Sequence, residues 1–103
     1  MSAASELYQL HLKREAEGRP HENLSELLKR VRYAAEWNQS DAASKAEQSR
    51  GFYAMSKDDE RYTTVQREDA LYSAAALQGE SNIRRDAART LDSIADALVA
   101  IIG

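Results

Sequence analysis

His11 and His21 are the side chains of this 103-residue chain best suited to passing protons or ligating a metal near neutral pH. A helix stop at Gly18-Arg19-Pro20 separates them, and their spacing matches no zinc pattern. No metal is therefore expected, with His11 half-buried on the first helix and His21 in the loop after it. Asp58, Asp59 and Glu60 are consecutive, but adjacent carboxylates on a helix point apart, and no EF-hand or Glu-x-x-His pattern accompanies them. They are expected to complement a helix dipole instead. Asp92 and Asp96 stand one helical turn apart, the spacing of a carboxylate pair for general acid and base work. Nothing near them in sequence suggests a pocket that would keep one protonated, so a solvated face is expected. The serines have no catalytic signature around them, and there is no glycine-rich phosphate loop. The expectation is a protein that is not an enzyme and uses no cofactor.

With no cysteine, the chain has no disulfide framework, no thiolate metal site and no thiol nucleophile. A cytoplasmic location is the expectation, since Met1-Ser-Ala-Ala-Ser-Glu6 also lacks the basic start and apolar run of a signal peptide. Ala97-Leu-Val-Ala-Ile-Ile102 is the longest apolar run, short of the roughly 20 residues a membrane helix needs, so no membrane partner is expected. Fourteen basic and seventeen acidic residues give a net charge of −3. That balance argues against wholesale binding to nucleic acid.

Eighteen alanines, one proline and four glycines favour helix from end to end, and we read an all-α bundle of four to five helices in a single domain, residues 1–103. The first helix is expected from Ala3 to Glu17, capped by Ser2 and stopped at Gly18. Asn23-Leu-Ser-Glu26 marks the second, whose apolar side is Leu24, Leu27, Leu28, Val31, Ala34 and Ala35. Asn38-Gln39-Ser40 is either a break or a polar stretch within a longer helix. With a break, a short helix follows over Asp41 to Arg50 and ends at Gly51. Ser56-Lys-Asp-Asp59 reads as a strong N-cap, beginning a helix that runs to Gln78 and stops at Gly79. From Ser81 onward Ala87, Leu91, Ile94, Leu98 and Ile101 recur at alternating spacings of four and three, the seam of a coiled coil or bundle.

Between Arg30 and Glu60, Trp37, Gln39, Ala43, Ala46, Ser49 and Arg50 stand where Cro and C1-type phage repressors carry their helix-turn-helix residues. This segment resembles that family over about a quarter of the chain, and Arg89 to Leu98 is similar to a helix the family places later. Glu47 stands in place of the turn glycine, Gln48 in place of the buried residue after it, and Gly51 falls inside the recognition helix. The resemblance implies DNA contact by Gln39, Arg50 and Tyr53, with Lys45 on phosphate. This is the alternative reading.

The leading one starts from Tyr8, Tyr33, Tyr53, Tyr62, Tyr72, Trp37 and Phe52, more aromatic area than an alanine-rich core needs. Aromatic side chains are favoured at interfaces because they bury large area at low entropic cost. Tyr33, Trp37, Phe52 and Tyr53 are the expected partner contacts. The C-terminal seam of Ala87, Leu91, Ile94, Leu98 and Ile101 is the expected homodimer interface. The function expected is a helical interaction module that oligomerises or docks on a partner protein and modulates it by inhibition. Small acidic helical proteins of this type are common among phage and mobile-element accessory factors, a likeness of type alone.

Overall fold

The computed structural model describes residues 6, 8–10, 12–13 and 22–103, and among these there is no strand. Two long helices dominate: α1 spans Glu22–Ser56 and α2 spans Thr64–Ile102. The described residues before them are helical too. The all-α expectation holds, but the helix number does not: among the described residues there are three helices, not four to five. Most of the first helix expected over Ala3 to Glu17, with its cap and stop, lies outside the described residues.

The stop expected at Gly79 is absent, and of the two readings of Asn38-Gln39-Ser40 the structure takes the longer helix, which leaves no end at Gly51. Asn38-Gln39-Ser40, Gly51 and Gly79 all lie inside continuous helix. A glycine stops a helix by taking a left-handed conformation, and among the described residues only Gly103 has a positive φ. Small residues repeat every seventh position through Asn38-Gln39-Ser40 and through Gly79. On α1 these are Ala35, Ala42 and Ser49, and on α2 they are Ala74, Ser81, Ala88 and Ala95; all seven are buried. Tertiary pairing along this stripe outweighs the roughly 1 kcal/mol that a mid-helix glycine costs.

The boundary between the helices also differs. Ser56 does not cap a following helix; it is the last residue of α1, and its hydroxyl donates to the Tyr53 carbonyl at 2.6 Å. Asp58 holds the connecting turn by accepting from the Arg61 backbone N–H at 3.1 Å. Helix α2 starts at Thr64 with a reciprocal cap. The Thr63 hydroxyl accepts from Gln66 N–H at 3.2 Å, while the Gln66 side chain accepts from Thr63 N–H at 2.9 Å. No acidic residue occupies the first turn of α2, so Asp58, Asp59 and Glu60 belong to the turn and not to a helix dipole.

The chain divides into two compact units. One takes the described residues up to Trp37 together with Ala87–Gly103, and its core is Leu24, Ile94 and Leu98. Leu10, Leu27, Leu28, Val31, Ile101 and Ile102 pack around that core, so all three helices supply it. The other unit, Asn38–Asp86, is a helical hairpin whose buried apolar residues are Ala42, Ala46, Ala70 and Ala74. Side chains this small favour the short end of the roughly 8–10 Å range of interhelix distances. Two buried serines confirm the close approach: Ser49 donates to the Ala74 carbonyl of α2, and Ser81 donates to the Ala42 carbonyl of α1, each at 2.7 Å. The bonds are reciprocal and one heptad apart on both helices, which sets the pairing register of the hairpin.

Stepping along the sequence in sevens accounts for the difference between the units. Leu24 and Val31 give way to Asn38 and Lys45, Ala34 to Asp41, Leu91 to Arg84, and Ala87 to Glu80. The stripe that carries bulky apolar residues in the first unit thus becomes polar in the hairpin. There Lys45 pairs with Glu80 at 3.2 Å and Arg84 with Asp41 at 3.1 Å. Such an edge tolerates water and needs no third helix to cover it.

Candidate functional site

The opposite edge of the hairpin is apolar and open. Arg50 and Tyr53 follow Ser49 along α1; Leu71, Ala74, Ala75 and Gln78 share one face of α2, since steps of three and four residues return to the same side. Together these seven residues line a groove of about 340 Å³. Ser49 and Ala74 are buried and form its floor, whereas Tyr53 is 51% and Leu71 50% exposed and stand as its walls. Leu71 also lines a second hollow of about 230 Å³ toward the turn, with Ser56, Lys57, Thr64, Arg67 and Glu68. The two hollows therefore share a wall.

The cations here are placed unlike those of the other edge. Lys57 Nζ lies 5.1 Å from the centre of the Tyr53 ring, at cation–π distance. Arg67 reaches the Thr64 hydroxyl at 3.4 Å, and its Nε is buried without an acceptor. Leaving a buried donor unmatched costs on the order of 1–3 kcal/mol. Among the described residues, Arg50, Lys57 and Arg67 have no carboxylate partner. The groove holds no nucleophile beside a base, and among the described residues no group of three or more His, Cys, Asp or Glu gathers to hold a metal. His11 and His21 lie outside the described residues. What the arrangement offers is an apolar trough with a basic rim, a surface for contact.

Of the expected partner contacts, Tyr53 lies in this groove. Tyr33, Trp37 and Phe52 are exposed, but they line neither hollow. Leu71, Ala75, Gln78, Lys57 and Arg67 were not among the candidates from sequence. The signal that finds them is the heptad of Ala74 and Ser81, which places Leu71 and Gln78 at the flank of the helix pair.

The seam proposed for self-association is placed differently. Ile94 and Leu98 are buried in the chain's own core against Leu24, with Leu98 0% exposed, and Ala87, Leu91 and Ile101 are half-buried. Those two central residues are already covered without a second copy.

The helix-turn-helix arrangement is not formed, because Glu47 and Gln48 lie within uninterrupted α1 and no turn separates two helices there. A glutamate entering a left-handed turn pays a steric penalty that the continuous helix avoids. Gln39 is exposed, Lys45 is held by Glu80, and Arg50 and Tyr53 line the groove. Among the described residues no helix is long and apolar enough to cross a membrane. No family model, curated protein or solved structure matches this chain.

Proposed function

We propose that the chain is a non-enzymatic interaction module that docks on a partner protein through the hairpin groove and modulates it by occupying the partner's surface. The observation that carries this reading is the inverted placement of side chains in Asn38–Asp86. Alanine and serine fill the inside, while Tyr53 and Leu71 stand half-exposed across an open trough. Bulky side chains around a small-residue floor are the usual anatomy of a contact that binds through a few anchors.

Photo-crosslinking tests it. With a photoreactive amino acid in place of Tyr53, irradiation in the native host is expected to yield a discrete adduct with one other protein. The same group in place of exposed Glu47, outside the groove, is expected to yield none. Reconstituted with that protein, Tyr53→Ala should weaken binding about tenfold, the effect of losing roughly 1.4 kcal/mol. Equal adducts from both positions, or none from position 53, refute the reading.

A further inference from the structure

We infer that the occupant of the groove is a short acidic segment of the partner protein, carrying a bulky apolar anchor. This inference rests on the interaction reading and adds the chemistry of the ligand. The floor of Ser49 and Ala74 is made of small residues, and the walls of Tyr53 and Leu71 leave a volume of about 340 Å³ that an aliphatic or aromatic side chain fits.

The rim decides the charge. Acidic residues outnumber basic ones in this chain, and elsewhere in the hairpin unit three of the four cations are matched, Lys45 by Glu80, Arg61 by Asp58 and Arg84 by Asp41, Arg85 being the fourth. Along the groove and the hollow beside it, Arg50, Lys57 and Arg67 go without a carboxylate among the described residues. Three unmatched cations around one apolar trough complement a ligand that brings both carboxylates and an anchor. A nucleic acid fits less well, because phosphates gain nothing from Leu71 and the alanines.

The test selects displayed random peptides on the full-length chain, with counter-selection on the Arg50→Glu/Arg67→Glu variant. Enriched peptides are expected to place Asp or Glu around Leu, Ile, Phe or Trp. The best of them, fluorescein-labelled, should lose about tenfold in affinity with Arg50→Glu, with Lys57→Glu and with Arg67→Glu, and should weaken as salt is raised. Arg85→Glu, exposed on α2 and outside the groove, should leave affinity unchanged. Circular dichroism verifies each variant's fold; Arg50 and Lys57 are exposed, so these two carry the test if Arg67→Glu disrupts α2. Enrichment of basic or uncharged peptides, no enrichment, indifference to the charge reversals, or displacement by a DNA oligonucleotide or by a second copy of the chain overturns the inference. If position 53 still crosslinks a partner whose contacting segment is not acidic, the ligand chemistry is wrong and the interaction reading stands.

Discussion

Ser49 and Ser81 show how a residue that looks ordinary in sequence acquires its role from spacing. As serines among many they suggest only a search for a catalytic partner; seven residues from alanines on each helix, they become the points where two backbones touch. Each hydroxyl replaces water with a carbonyl that keeps its place in its own helix ladder, since a carbonyl has two lone pairs. Ser81 is completely buried. Ser81→Ala is expected to lower unfolding free energy in urea by about 0.5–1.5 kcal/mol, the net value of one hydrogen bond. Ser81→Leu should cost more, about 1–3 kcal/mol, because added methylenes force the helices apart. A larger loss from alanine than from leucine would mean that the hydroxyl, and not the close approach, governs this layer.

Helix α2 begins where two candidate caps compete. Ser56-x-x-Asp59 and Thr63-x-x-Gln66 both carry the residue types of a capping box, and sequence pattern alone favours the first because three acids follow it. The structure uses the second, since Ser56 is needed to close α1 and Asp58 to hold the turn. Thr63→Ala should therefore destabilise the chain by about 1 kcal/mol, while Asp59→Ala should change stability little. The interior glycines make the complementary case. A Cβ at Gly51 or at Gly79 meets nothing within 4 Å, and neither glycine has a positive φ. Gly51→Ala and Gly79→Ala should each raise stability by about 0.5–1 kcal/mol, seen as a higher urea midpoint at unchanged slope. Helical class was legible because Ala87, Leu91, Ile94, Leu98 and Ile101 repeat so regularly. The number of helices was not, because single glycines and the Asn38-Gln39-Ser40 triplet were weighed one at a time against local propensity, while the heptad of buried small residues extends across the triplet and across Gly79.

At the scale of the whole molecule, seven of the ten buried apolar residues among those described are alanine, so three larger side chains, Leu24, Ile94 and Leu98, contribute much of the apolar burial. Burying a leucine fully contributes about 1.5–3 kcal/mol, against a total stability of about 5–15 kcal/mol for an ordinary domain. The two readings of the C-terminal seam then separate cleanly. If it joined two copies, Leu98→Asp with Ile101→Asp would leave a helical monomer. Because Leu98 is sealed against Leu24 and Ile94 within one chain, the double variant is expected to lose most of its helical signal, since an unpaired carboxylate cannot be accommodated there. Leu98→Ala, which adds no charge, should cost about 2–5 kcal/mol and lower the thermal midpoint. Ile83→Asp is the control at an exposed apolar site on the same helix and should leave the helical signal unchanged. A double variant that stays helical while sedimenting as a monomer, beside a wild type that sediments as a dimer, would return the seam to the subunit interface and place the core elsewhere.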